Sequence, residues 1–307
     1  MTYTETFQVE ALTPFNFDLS TRIFASGDKQ IRNFVDCQFT QVIKINGKLA
    51  LVKLTSAGTI EKPKINVELK ANSQISLLDK QKAVEAIKFI FNLDFDLCSF
   101  YNEIKNESVM RHLVKPLNGL KNPTTPTVFE ALLDSIVEQQ ISLKVAHIME
   151  ERLVKKYGES LTLDGETYYA YPTPQNIANV SISELKNCGL SERKAQYLQG
   201  ATQLIVDGKL DLESLKNKEN SEEIISELDA IRGIGVWTAE LTMLRGMQKL
   251  DAFPADDLGL RHVISSFYCD GKAIKAEEAR EIAKGWGRWK GLAAFYLIIA
   301  EIKGIKA

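Results

Sequence analysis

The 307-residue chain has only four cysteines and three histidines, and neither set is spaced like a metal site. Cys37, Cys98, Cys188 and Cys269 form no C-x-x-C pair, which argues against a zinc or iron–sulfur site; buried free thiols in a reducing compartment are expected. His112, His147 and His262 are scattered, and His262 is expected as a partly buried helix residue. Long apolar runs are missing too: the longest, Leu292 to Ala300, falls far short of the roughly 18 residues of a membrane span. The opening MTYTETFQVE lacks the basic and apolar regions of a signal peptide, so a cytoplasmic protein with no membrane association is expected. Charge of one sign is absent: Lys+Arg number 38 against Asp+Glu 40, a net charge of −2. By segment, residues 1–118 carry 15 basic and 13 acidic residues (+2), 119–225 carry 11 and 16 (−5), and 226–307 carry 12 and 11 (+1). No segment is a basic patch, which argues against broad non-specific polyanion binding.

What is present is ordinary globular composition, 45% hydrophobic and 25% charged, in a chain long enough for about two domains. Residues 41–54 (QVIKINGKLALVKL) are two β-prone runs around Asn46-Gly47, the dipeptide that best tolerates the positive φ angles of a type I′ turn, and predict a hairpin. Ile65, Val67 and Leu69 alternate with polar residues as a further strand. Ala83, Ala86, Ile87 and Ile90 have helical spacing within Asp79 to Leu93. An α+β chain follows: an antiparallel sheet with a packed helix over 1–103, then an all-helical region over 104–307. In the helical region T-x-x-E at Thr127/Glu130 and S-x-x-E at Ser181/Glu184 predict capping boxes.

The informative stretch is Ser226 to Phe267, SELDAIRGIGVWTAELTMLRGMQKLDAFPADDLGLRHVISSF. Helical periodicity is interrupted by Gly233-Ile234-Gly235 and resumes at Val236, which reads as helix, tight turn, helix. Read by spacing alone, the glycines fit a packed αα-corner as well as a turn that aims unpaired helix amides at a phosphate. Asp256 and Asp257 precede another helix, and the first is expected as its N-cap.

The segment GIGVWTAELTMLRGMQKLDAFPADDLGL closely resembles the helix-hairpin-helix, Gly/Pro-Asp signature of base-excision DNA glycosylases, in the 3-methyladenine DNA glycosylase II (AlkA type) subgroup. VFEALLDSIVEQQISLKVA adds to the likeness, as does YPTPQNIANVSISELKNCGLSERKAQYLQGATQLI, so that it covers about residues 110–300. The resemblance implies a small N-terminal sheet domain similar to half of a TATA-binding protein. Beyond it comes a helical region, which is expected to divide into two subdomains with the active-site cleft between them.

It further implies that Asp257 is the catalytic carboxylate and Asp256 the structural cap. Trp237 would face a flipped base or else pack, with Leu241 and Ile298 standing where the family has aromatics. Gly233, Ile234, Gly235, Gln139 and Gln140 would meet DNA, Gln140 either filling the gap left by the flipped base or serving as a surface polar residue. The backbone carbonyls of Asp229, Ile231 and Ile234 would hold a monovalent cation, Na or K; no other cofactor is implied. Trp286 and Trp289 read as packing, and Lys249 as a surface charge. Superfamily members that also cleave the strand carry a lysine where this chain has Trp237, so a monofunctional enzyme is expected. The implied substrate is double-stranded DNA with damaged bases, acted on by a monomer. An oxidised-guanine (8-oxoguanine) glycosylase and a non-catalytic damaged-DNA-binding protein stay open as alternatives.

Overall fold

The computed structural model describes residues 1–25 and 28–306. Elements run β1 (Tyr3–Glu10), α1 (Phe17–Phe24), β2 (Arg32–Val35), β3 (Gln38–Ile45), β4 (Lys48–Ser56), β5 (Lys64–Ala71), α2 (Leu77–Ile90), α3 (Leu97–Ile104) and α4 (Ser108–Val114). They continue α5 (Val128–Glu138), α6 (Leu143–Tyr157), β6 (Ser160–Leu163), β7 (Glu166–Tyr169), α7 (Pro174–Ala178), α8 (Ile182–Asn187), α9 (Glu192–Val206), α10 (Ser221–Asp229), α11 (Val236–Gly246), α12 (Leu258–Tyr268), α13 (Ala276–Ala283) and α14 (Lys290–Ile302).

Five strands make an antiparallel sheet in the order β1-β5-β4-β3-β2. The β3–β4 hairpin closes Ile45 onto Lys48, with Asn46 at φ 47° and Gly47 at φ 77°, as a type I′ turn requires. One face buries Phe39, Ile43, Leu54, Val67 and Leu69 against Ala83, Ile87 and Ile90 of α2. The other face would leave Val42 and Leu51 in water. They are covered instead by Leu161 and Leu163 of the β6–β7 hairpin, a departure from an all-helical second part.

Two helical cores follow. In the first, α5 is central. Every residue from Val128 to Glu138 is buried, and the helix packs against α6, α9 and α11. The second joins Leu97, Phe100 and Ile104 of α3 to Leu260, Ile264, Trp286, Trp289 and Tyr296. Residue 103, where the sequence suggests a change of character, therefore falls inside a helix whose apolar face belongs with the C-terminal helices. Lys121 ties the parts together: its buried ammonium donates to the carbonyls of Leu12, Leu93 and Phe95.

Ser181 and Glu184 form the full capping box. Thr127 accepts from the Glu130 amide, but the Glu130 side chain turns away to pair with Arg32 of β2, so that box is half made. Of the four thiols, only Cys188 is buried; Cys37 and Cys98 are exposed and Cys269 is half-buried. His262 lies exposed on α12 rather than partly buried.

Candidate active site on the hairpin and the Asp257 loop

The turn between α10 and α11 needs its first glycine for two reasons. Gly233 has φ +89°, and a Cβ there would lie 2.1 Å from Cγ of Tyr197. Gly235 has neither constraint: a Cβ would meet only Asp229 Oδ1, at 4.0 Å. It is the N-cap of α11, and no side chain caps that end. Its lack of a side chain keeps the first amides of α11, which have no helical acceptor, open to solvent. Gly233→Ala is therefore expected to lose about 2 kcal/mol or more in urea unfolding, and Gly235→Ala about 1 kcal/mol at most. Equal losses would contradict the separate roles.

From behind, Gln139 braces the hairpin. Its amide nitrogen donates to the Gly233 carbonyl at 2.9 Å and to Thr238 Oγ1 at 3.0 Å, so Gln139 is half-buried and turned inward. Gln140 is exposed, with φ 56°. At the far end of α11, Gly246 lets the helix approach α5: a Cβ there would sit 2.8 Å from that of Ala131. Lys249 is not a free surface charge, because its ammonium donates to the Lys218 carbonyl.

Across from α11 stands the start of α12. Asp257, not Asp256, is its N-cap: Oδ1 accepts from the Leu260 amide at 2.8 Å. This corrects the assignment of the cap to Asp256, and the physical reason is register. A cap carboxylate reaches the amide three residues on, and Leu260 is the first buried residue of the helix. Asp256 is exposed, and its nearest cation is Arg280, at 3.4 Å.

The second oxygen of Asp257, Oδ2, accepts from Nε1 of Trp237 at 3.0 Å. Two residues twenty positions apart thus meet, and the carboxylate is held by two donors while staying half-exposed. Leu241, one turn beyond Trp237, is 9% exposed, and Ile298 is half-buried on α14. Trp286 and Trp289 are core residues. Such a site can present a fixed negative charge, with an indole beside it, to a cationic centre arriving from solvent.

Two residues escape a reading of motifs. Glu240 is buried beneath the Asp257 loop and faces Arg280 of α13. A lone acid inside the apolar VWTAELTML was the available signal. Two wide clefts of about 790 and 730 Å³ lie elsewhere, one lined by Phe89, Gln248 and Trp289, the other by Gln30, Thr40 and Tyr168. The site is therefore assigned on chemistry rather than on cavity size. Among the described residues no His/Cys/Asp/Glu group is arranged to hold a metal ion, and no helix is long and apolar enough to cross a membrane.

The chain is similar to a DNA-3-methyladenine glycosylase of Bacillus subtilis (strain 168), with 32% identity over 223 residues, 72% of this chain and 73% of the relative. It is 27% identical to DNA-3-methyladenine glycosylase 2 of Escherichia coli (strain K12) over 60% of this chain and 61% of the relative. The solved 3-methyladenine DNA glycosylase of Archaeoglobus fulgidus superposes with a TM-score of 0.85 at 26% identity, covering 96% of this chain and 98% of that one. Two structures of 8-oxoguanine glycosylase/lyase from Clostridium acetobutylicum, at 21% identity, share the fold. Residues 133–288 match the model of the HhH-GPD superfamily of base excision DNA repair proteins, and the chain belongs to that family.

Proposed function

We propose that the protein is a monofunctional DNA glycosylase that flips an alkylated purine such as 3-methyladenine out of duplex DNA and hydrolyses its N-glycosidic bond. The observation that carries this reading is the Trp237–Asp257 pair. Breaking the bond from sugar to purine leaves positive charge on the deoxyribose, and a fixed carboxylate stabilises that oxocarbenium-like state while orienting the attacking water. Alkylation at a ring nitrogen makes the base cationic and a good leaving group, so one acid suffices. A stacked base is out of reach, and flipping it costs a few kcal/mol, less at a damaged pair. The relatives named for 3-methyladenine support the substrate class.

With its N–H given to Asp257, Trp237 has only its ring face to offer an electron-poor base. It also occupies the position from which a lysine would attack the sugar, which favours hydrolysis over strand cleavage. Phosphate contact falls to the uncapped end of α11. The backbone carbonyls of Asp229, which ends α10, and of Ile231 and Ile234 in the turn after it would hold a monovalent cation, which would supply a positive charge for a DNA phosphate. Ile231 uses one lone pair on the Ile234 amide, at 3.0 Å, and keeps the other.

The protein incubated with methylated duplex DNA should release free 3-methyladenine or 7-methylguanine and leave an alkali-labile abasic site. Borohydride should trap no covalent adduct. An adduct, or release from 8-oxoguanine duplexes alone, would overturn this reading.

A further inference from the structure

Glu240 is the one acidic residue in the apolar run from Val236 to Leu244, one turn after Trp237. It is 4% exposed, and its Oε2 has no hydrogen-bond partner. Its Oε1 lies 3.4 Å from Nη1 of Arg280. The same nitrogen is 3.4 Å from the Phe253 carbonyl, and Nη2 is 3.4 Å from Asp256 Oδ2. One guanidinium therefore holds Glu240 and both ends of the Phe253–Asp256 loop, the chain segment that delivers Asp257 to its place against Trp237. Phe253 and Ala255 are buried, so the loop has a fixed floor, and Arg280 is its charged outer tie.

A buried carboxylate is poor value for stability alone, since an apolar residue of similar size would pack there without the desolvation cost. Its geometry fits another role. We propose that Glu240 is a positioning residue for Asp257: ionised, it anchors Arg280, and Arg280 fixes the Phe253–Asp256 loop so that the Asp257 carboxylate stays within reach of the Trp237 indole. This rests on the reading of Asp257 as the reacting carboxylate. The charged groups facing Glu240 are Arg280 from α13 and Asp256 from the loop. Burial is the largest influence and pushes Glu240 up to about 7; Arg280 and the Phe253 backbone oppose it, and Asp256 adds to it. Below that pH Glu240 is neutral and its hold on Arg280 weakens, so the geometry at Asp257 should loosen on acidification through neutrality.

The chain has three tryptophans, so its indole N–H spectrum has three cross-peaks, and Trp237→Phe identifies the one bonded to Asp257. In the wild type that peak should titrate with a midpoint near 7, and in Glu240→Gln the titration should vanish while the Trp286 and Trp289 peaks stay in place. Single-turnover release of a methylated purine by Glu240→Gln should fall about tenfold at about pH 8, with affinity for an abasic-site duplex within about twofold of wild type. Glu240→Asp should recover part of both. A Trp237 titration that persists in Glu240→Gln, or a wild-type rate and pH profile in that variant, would overturn the proposal. If the wild type releases no alkylated base but its Trp237 peak titrates as stated, the positioning role stands and the glycosylase reading falls.

Discussion

Asp257→Asn should lower single-turnover release of a methylated purine by about 10³-fold, close to 4 kcal/mol of transition-state stabilisation, while the protein stays folded. Asparagine caps helices as well as aspartate does, so an oxygen can remain on the Leu260 amide. What changes is charge, together with one acceptor: Asp257 offers an oxygen to each of Leu260 and Trp237, and an amide offers only one. The NH₂ group would face the indole N–H, at a cost of about 1 kcal/mol. A small loss of stability should therefore accompany a large loss of rate, and the two can be separated by urea titration and by base release measured well below the unfolding midpoint. Asp256→Asn is the matched control. It removes an exposed carboxylate 3.4 Å from Arg280 and loosens only the outer end of the loop tie, so release should fall by at most about fivefold, far less than in Asp257→Asn. An Asp257→Asn variant within tenfold of wild type, or an equal loss in Asp256→Asn, would sink the assignment of the reacting carboxylate.

The division of labour between the two aspartates is only half legible in the sequence. The motif favours Asp257 for the proposed chemistry, whereas the local pattern puts the cap at Asp256, one residue before the one that makes it. Two consecutive acids ahead of a helix offer the same local pattern twice. The hairpin at Asn46-Gly47, the strand at Ile65–Leu69 and the Ser181/Glu184 box were readable because each depends on residues within a few positions of one another. The pairing of Trp237 with Asp257, the bracing of the hairpin by Gln139 and the diversion of Glu130 to Arg32 join residues 20, 94 and 98 positions apart. No periodicity or propensity encodes such partners. Glu240 left a trace as a charge in an apolar helix, yet its meaning depends on where Arg280 lies after folding.

The largest expected effect on stability lies away from the site, in the contact between the sheet and α5. Glu130, Asp134 and Glu138 recur every fourth residue and so form one stripe along a fully buried helix. Arg32 of β2 pairs with Glu130, and the two side chains are only 6% and 4% exposed; the guanidinium also lies 3.8 Å from the ring centroid of Phe24. Arg245 of α11 meets Glu138 at 2.7 Å, while Asp134 and Glu150 each keep a buried oxygen without a partner. Burial, with Glu138 beside it, pushes Glu150 up to about 8, and burial raises Asp134 as well.

Arg32→Met removes one cation from this group and strands Glu130, which should cost about 3–5 kcal/mol in urea unfolding at about pH 8. The sign of its pH dependence follows from linkage. Burial raises Glu130 and Arg32 opposes that rise, so without Arg32 the native carboxyl binds a proton more tightly still. Between the ordinary carboxylate pKa and the raised one, the native state holds a proton that the unfolded chain has lost, and stability falls as pH rises through that window. The deficit of Arg32→Met should therefore shrink towards about pH 5, where the proton is available at little cost. Adding Glu130→Leu removes the stranded charge as well, and the double variant should regain most of the loss, since an apolar pair of similar volume carries no desolvation cost. A single variant that loses under about 1 kcal/mol, or a double variant no more stable than the single, would mean that the pair is not the electrostatic tie between sheet and helix that its burial implies.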